Sequence, residues 1–251
     1  MTRILRPRIE TGRRSVFPRG RDTAPLLAVL SLVPVLAFVI VLLDHRDGFR
    51  LFMVAVGLAM LVLVVGLGVR RRTLRTGEIR ISAEGALWFC PSGALTAMEF
   101  VVPLVLGLPA LALAVVSLAG LPMMAGLTRF TTVSPYLLGA LALGLLARAI
   151  LALRTPVGLR VDARGLHGVR GATVLDIPWD ELDHSASVGR SGPRVSFVTR
   201  AGGGVVVDAH YLGSDPALVA AIVEYYRTRP GERAKLADGV AAVQAVERGR
   251  A

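Results

Sequence analysis

The sequence predicts a membrane protein of mixed α and β class, with four transmembrane helices in two antiparallel hairpins and an antiparallel sheet or partial barrel closed by a C-terminal helix. Hydrophobic residues make up 53% of the 251 residues and charged residues only 19%, whereas a soluble domain carries about a quarter charged residues. The apolar residues are concentrated in four blocks, and the polar tail alternates apolar with polar residues. These observations exclude a simple soluble enzyme, a disordered chain and a fibrous repeat.

Each apolar block has the length of about 20 residues that a helix needs to cross the hydrocarbon core of a bilayer. The four predicted spans are Pro25–Leu43, Leu51–Val69, Val101–Met123 and Pro135–Leu153. Only Arg148 brings a formal charge into any of them. The links at 44–50 and 125–134 are short, so each pair of spans is expected to form an antiparallel hairpin.

These elements divide the chain into six predicted regions. They are a basic cytoplasmic arm at 1–24, a transmembrane hairpin at 25–69, a cytoplasmic strand-rich insert at 70–100, a second hairpin at 101–153, a cytoplasmic domain at 154–229 and a frayed tail at 230–251.

The distribution of arginine predicts the orientation of the spans. The chain has 29 basic and 18 acidic residues, a formal charge of +11, and Lys235 is its one lysine. Arginines crowd the N-terminal arm, the insert and the start of the tail, while the two opposite loops carry only Arg46, Arg50 and Arg129. Because cytoplasmic loops are enriched in basic residues, both termini are expected on the cytoplasmic side of a bacterial inner membrane.

Five arginines lie at the expected depth of the lipid headgroups and are candidate contacts for anionic lipids. They are Arg70, Arg71, Arg72, Arg75 and Arg154. The alternatives are that they only fix the topology or that they contact a partner protein. Nucleic acid is not expected as a partner, because no basic helix or aromatic stacking platform accompanies them.

The insert and the tail contain a similar segment. Residues 78–86 align, at an offset of 80, with residues 158–166, and both follow a helical hairpin. Each segment predicts a strand, a turn at Gly85 or Gly165, and a second strand. The insert is therefore expected either to fold separately or to pack onto the sheet of the tail as one composite module.

The tail predicts a succession of strands followed by a helix. The strands are expected at Leu159–Asp162, Leu166–Val169, Val174–Pro178, Leu182–Val188, Arg194–Thr199 and Gly204–Asp208. Asp215, followed by proline, predicts the start of an amphipathic helix that runs to about Arg227. Trp179, Gly165 and Asp215 are the expected structural anchors, although Trp179 could instead lie at the membrane interface.

Two stretches of the tail resemble bacterial membrane-anchored pleckstrin-homology-like (PH-like) proteins, some of them actinobacterial. They are Val161-Asp162-Ala163-Arg164-Gly165-Leu166 and Ile177-Pro178-Trp179-Asp180-Glu181-Leu182, and the capped helix at Asp215 follows them. This resemblance covers about residues 158–229 and implies a PH-like fold. In overall layout the chain is also similar to LucA-type lipid-uptake coordinators, which implies association with a lipid importer of the Mce type.

No motif predicts catalysis, a cofactor or a metal site. The acidic residues and histidines of the tail match no hydrolase, metalloprotease or nucleotide-binding pattern, so no small-molecule substrate is assigned. The sequence therefore predicts a non-enzymatic accessory or scaffolding protein whose PH-like module docks a partner protein, with a membrane complex as the expected partner. The alternative is a small lipid-handling transporter in its own right.

Overall fold

A computed structural model describes residues 2–9, 24–83, 85–123, 129–169, 174–188 and 193–250 of the chain. It divides into two compact units. One, the sheet unit, draws on Met1–Pro18, Arg71–Gly93 and Ala152–Ala251, and the other, the helical unit, on Arg19–Arg70 and Ala94–Leu151. Most of the predicted N-terminal arm, at 10–23, lies outside the described residues.

The helical unit contains long apolar helices. They are α1 (Ala24–Leu43), α2 (Asp47–Thr73, whose last residues belong to the sheet unit), α3 (Gly93–Leu106), α4 (Leu108–Ala119) and α5 (Arg129–Leu151). Among the described residues, three stretches are long and apolar enough to cross a membrane: Asp47–Thr73, Gly93–Ala119 and Val133–Arg154. The apolar stretch of α1, Leu27–Leu43, is shorter. Membrane-length apolar helices are therefore confirmed at three of the four predicted spans.

The third apolar stretch differs from its prediction at both ends. It begins at Gly93 instead of Val101, and it ends at Gly120, whose φ of 61° closes α4 in the left-handed conformation. It is also interrupted at Gly107, between α3 and α4. Pro103 and Pro109 flank this break, and a proline nitrogen has no hydrogen to donate to the helix.

The sheet unit contains two antiparallel sheets. The larger has six strands in chain order: β1 (Thr2–Leu5), β2 (Ile79–Ser82), β3 (Leu87–Phe89), β4 (Leu159–Val161), β5 (Gly165–Gly168) and β6 (Leu175–Pro178). The smaller has three: β7 (Leu182–Val188), β8 (Arg194–Thr199) and β9 (Gly204–Asp208). The mixed α and β class and the antiparallel sheets are confirmed.

Three separate parts of the chain build the larger sheet. β1 comes from the N-terminus and pairs with β2, while β3 pairs with β4 through Leu87↔Val161 and Phe89↔Leu159. Of the two alternatives for the insert, the structure therefore has the composite one. β1 was not expected, because the N-terminus was assigned to a flexible basic arm. Its pairing with β2 places Thr2–Leu5 within the sheet.

Helices cover the buried faces of the sheets. A short helix α6 (Ala209–Leu212) leads to α7 (Pro216–Thr228), which packs against β7 and β8. A 3₁₀ helix, Pro230–Ala237, connects α7 to α8 (Gly239–Arg250), which contacts β2 and β3. The core contains Ile79, Phe89, Leu159 and Tyr226, all fully buried.

The predicted fraying of the tail is not what the structure has. Ala242, Val243 and Val246 of α8 are buried, and the Tyr226 hydroxyl donates a hydrogen bond of 2.9 Å to the Ala242 carbonyl. The apolar stripe of this helix is narrow, but small residues let α8 lie close to the sheet: a Cβ on Gly239 would be 3.3 Å from Leu87 Cα.

The glycines of the repeated segments have different roles. Gly85 has a φ of +73°, as the turn predicts. Gly165 has no such φ and belongs to β5. A Cβ there would lie 2.2 Å from the Ile177 carbonyl oxygen, so Gly165 permits close approach of β5 and β6. Gly165 ends the predicted turn, where its N–H donates to the Asp162 carboxylate at 3.3 Å.

Candidate functional site

The outer face of the six-stranded sheet carries a row of four side chains, which we call the outer strip: Trp88, Arg160, His167 and Asp176. They lie on β3, β4, β5 and β6, and the strand register pairs each with the next. Neighbours along each strand, such as Leu159 and Leu166, are fully buried. Alternation of side chains along a strand therefore puts the core on one face and the strip on the other.

Polar contacts join the strip to the turn between β4 and β5. His167 Nδ1 lies 2.7 Å from Asp176 Oδ1, and His167 Nε2 lies 3.4 Å from Asp162 Oδ1. Arg160 Nε lies 3.6 Å from the other carboxylate oxygen of Asp162. Both ring nitrogens of His167 therefore face carboxylates.

The Asp162 carboxylate closes the turn. It accepts hydrogen bonds from the backbone N–H groups of Arg164, at 2.9 Å, and Gly165, at 3.3 Å. Burial by itself raises the pKa of Asp162. These two hydrogen bonds and the charges of His167 and Arg160 outweigh it, so the pKa is held below its ordinary value. The turn therefore holds an ionised carboxylate at neutral pH.

A cleft of about 670 Å³ opens over three members of the strip, Trp88, Arg160 and His167, and Asp176 lies beyond its lining. Trp88 and Pro156 provide an apolar wall, while Arg160, Arg164 and His167 provide polar groups. The Trp88 indole N–H donates to the Val157 carbonyl at 3.1 Å, which fixes the ring at the wall. The volume lies within the range of pockets that bind small ligands or short segments.

Trp179 and Gly165 hold this turn in place from the core side. Trp179 is 4% exposed, and its indole N–H donates to the Asp162 carbonyl at 2.8 Å. The Arg233 guanidinium lies 4.7 Å from the centre of the ring. Trp179 therefore packs inside the sheet unit and positions the turn that carries Arg164.

Asp215 lies elsewhere in the same unit. It is the N-cap of α7, where Oδ1 accepts from the Ala217 N–H at 2.9 Å. Its second oxygen accepts from the Gly77 N–H at 2.8 Å. The carboxylate therefore joins the helix to the segment that precedes β2, which the sequence did not predict.

The five arginines predicted to contact anionic lipids lie near the ends of helices. Arg70, Arg71 and Arg72 belong to the last turns of α2, and Arg154 ends the short 3₁₀ helix Ala152–Arg154. Arg75 follows α2, and its Nε donates to the Arg72 carbonyl at 3.2 Å. No lipid contact can be assigned from these positions, so this role stays a prediction.

The acidic residues and histidines that the structure describes do not converge on a metal-binding geometry. Within the described residues, no group of three or more His, Cys, Asp or Glu side chains could hold a metal ion. His184 Nδ1 pairs with Asp183 Oδ2 at 2.8 Å, and both side chains are about half exposed. This pair lies on β7, in the other sheet from His167.

Sequence reasoning did not find the outer strip, although a signal was present. Each member lies between two buried residues, in Leu-Trp-Phe, Leu-Arg-Val, Leu-His-Gly and Leu-Asp-Ile. The alternation indicates which side chains face outward, but not which strands become neighbours. Comparisons with protein-family models, curated proteins and solved structures found no match for the chain.

Proposed function

We propose that this chain is a non-enzymatic accessory protein of a bacterial inner membrane, in which four spans anchor a cytoplasmic PH-like module that docks a partner protein. The cleft over the outer strip is the observation that carries the docking role. It combines a half-buried tryptophan with two exposed arginines, residue types that dominate the binding energy of protein interfaces. Among the described residues that line it there is no serine, threonine, cysteine or lysine beside the histidine, which favours a binding surface over a nucleophilic centre.

Strand pairing supports the fourth span. β1 precedes α1 and α2, and β2 follows them, yet the two strands are hydrogen-bonded neighbours. Paired strands of an open sheet lie on one side of a bilayer, because unpaired backbone groups are not tolerated in lipid. The chain therefore has to return to the side of the bilayer from which it left. If α2 crosses the membrane once, α1 must cross it once in the opposite direction. The pairing of β3 with β4 requires the same of the second hairpin.

The arginine distribution supports the cytoplasmic location of the sheet unit. Arg71, Arg72 and Arg154 flank the spans on the side of the sheet, while Arg46 and Arg50 lie in the short link between α1 and α2. Basic residues are retained on the cytoplasmic side during insertion.

A PH-like fold is supported by the arrangement of the tail. Its strands form antiparallel sheets, and α7 packs against the smaller sheet near the end of the chain. The two motif stretches fall at the β4–β5 turn and at the exit of β6. Under this proposal, the second transmembrane hairpin is an insertion between two neighbouring strands of the module.

A membrane-protein complex is the proposed partner, and a lipid importer is the candidate that the LucA-type resemblance implies. The test places a photo-crosslinking amino acid at Pro156, an exposed residue at the cleft, in living cells. The matched control places it at Val206, which is 46% exposed in the other sheet. We expect a discrete adduct from position 156 and none from position 206.

The proposal fails if position 156 yields no adduct and the protein purifies from mild detergent without a stoichiometric partner. Transport of lipid by the purified protein alone, after reconstitution into vesicles, would instead establish the alternative of a transporter.

A further inference from the structure

The order of chemical groups along the outer strip indicates what the cleft binds. An aromatic residue, Trp88, stands at one end, the cation of Arg160 is next, and Asp176 ends the row beyond His167. We propose that the cleft binds an extended acidic segment of the partner, with an apolar side chain against Trp88 and carboxylates against Arg160 and Arg164. This inference rests on the proposed docking function and names the chemistry of the partner.

The dimensions of the strip fit a short peptide. Neighbouring strands are about 4.8 Å apart, so the four members of the strip span roughly 14 Å. An extended chain advances about 3.3 Å per residue, so four or five residues cover that distance. Such a segment would cross the strands of the sheet and present alternate side chains to the strip.

The arginines of the cleft are available to a ligand. The Arg160 side chain is 59% exposed, and Asp162 approaches only its Nε, at 3.6 Å. Its terminal nitrogens can therefore form a bidentate pair with a carboxylate. Arg164 is exposed at the turn, and no side-chain partner is found for it in the described part of the chain.

The carboxylates near the strip favour a peptide over a phosphate headgroup. Asp162 lies between Arg160 and His167, and the Asp176 side chain is 77% exposed. A compact phosphate dianion would meet these negative charges at short range. An extended segment can place its acidic side chains at the arginines and a backbone N–H or a basic side chain at Asp176.

The test selects a randomised hexapeptide library on the full-length protein in nanodiscs of phosphatidylcholine. We expect Asp and Glu to be enriched about tenfold next to an apolar position. A charge-assisted hydrogen bond between arginine and a carboxylate contributes enough binding free energy to raise the affinity by about that factor. In a variant carrying Arg160→Glu and Arg164→Glu, the preference should move to Lys and Arg.

A charge-matched variant carries Arg200→Glu and Arg248→Glu, two exposed positions that do not line the cleft. It should retain the acidic preference of the unmodified protein. If both double variants keep the same acidic preference, the preference does not depend on Arg160 and Arg164, and this overturns the inference. So does the absence of any enrichment, or binding of phosphatidylglycerol vesicles that needs Arg160 and Arg164 without any peptide preference.

Failure of this inference can be told apart from failure of the docking function. If position 156 cross-links a partner while the library shows no charge preference, the docking function stands and the acidic segment is wrong. If the library shows the preference, but position 156 gives no adduct in cells and the protein purifies without a stoichiometric partner, the cleft binds acidic segments but the docking function is wrong.

Discussion

At the scale of single residues, the carboxylates of Asp215 and Asp162 in the sheet unit have opposite electrostatic environments. Burial raises the pKa of Asp215, and the hydrogen bonds from Gly77 and Ala217 only partly oppose it. The pKa of Asp162 is lowered, because its hydrogen bonds and neighbouring cations outweigh its burial. The first residue joins two segments of the chain, whereas the second shapes the turn beside the cleft.

Replacement of Asp215 by alanine should lower the free energy of unfolding of the sheet unit by about 2 kcal/mol or more, because the cap of α7 is lost and the Gly77 N–H loses its acceptor. The chain has two tryptophans, Trp88 and Trp179, and both belong to this unit. Denaturant titration of the full protein in detergent, followed by tryptophan fluorescence, therefore measures the change. The exposed Asp180→Ala variant is the control, and an equal loss in both variants would contradict the role of Asp215.

Replacement of Asp162 by asparagine should change how stability depends on pH. A carboxyl whose pKa is lowered by folding stabilises the protein above its ordinary pKa, and this contribution is lost as the pH falls through the folded value. The amide oxygen of the new side chain can still accept the hydrogen bonds of the turn. We therefore expect the unmodified protein to be more stable than Asp162→Asn at about pH 6, with the difference vanishing at strongly acidic pH.

Thermal midpoints of the two proteins, measured side by side between about pH 6 and pH 3, test this sign. A difference that stayed constant over the range would mean that the charge of Asp162 makes no contribution.

At the scale of elements, close approach of β5 and β6 depends on Gly165. A Cβ at this position would lie 2.2 Å from the Ile177 carbonyl oxygen and 2.9 Å from Pro178 Cα, so the backbone would have to move. Because both strands carry members of the outer strip, this movement would also separate His167 from Asp176.

Gly165→Ala should therefore destabilise the sheet unit by about 1–3 kcal/mol or more, as overpacked sites do. It should also weaken binding at the cleft. Gly231→Ala is the matched control, because no atom lies within 4 Å of a Cβ there and its φ is not positive. Denaturant titration compares the free energies of unfolding of the two variants. Equal values would show that β5 and β6 can move apart without loss of stability.

Elements were predictable where their signal was local. The apolar blocks indicated the long helices, and alternation indicated β4 to β9. β1 was missed because Thr2, Arg3 and Ile4 are all exposed, as in an edge strand, so no alternation marks them. The early start of α3 was missed because Thr96 and Glu99 lie before the apolar block. Which strands pair across the sheet depends on contacts between distant parts of the chain, and no local pattern encodes it.

At the scale of the whole molecule, strands pair although apolar helices of membrane length separate them in the sequence, and this makes the proposed topology testable. In a Cys90→Ser background, the protein has no other cysteine. We expect a membrane-impermeant maleimide to label a His45→Cys variant in intact cells and to leave an Arg248→Cys variant unlabelled until the membrane is permeabilised. Labelling of position 248 in intact cells would reverse the proposed orientation.

The outer strip shows how much of the candidate site was within reach of sequence reasoning. Its members could be identified as outward-facing, because each lies between two core-facing residues of its strand. Trp179 and Asp215 were predicted as structural anchors. The cleft itself depends on β3 lying beside β4, although about 70 residues, among them apolar helices of membrane length, separate them. That neighbour relation is a property of the folded chain as a whole.

The same separation in sequence determines how long β3 stays without its partner strand during synthesis. Ribosomes add about 5–20 residues per second, so β3 waits roughly 4 to 14 s for β4 to be synthesised. Throughout that interval its edge is unpaired, and unpaired strand edges are prone to aggregate. Slow insertion of the second hairpin would prolong this exposure, so a nascent chain that stalls there should be an early substrate for chaperones and proteases.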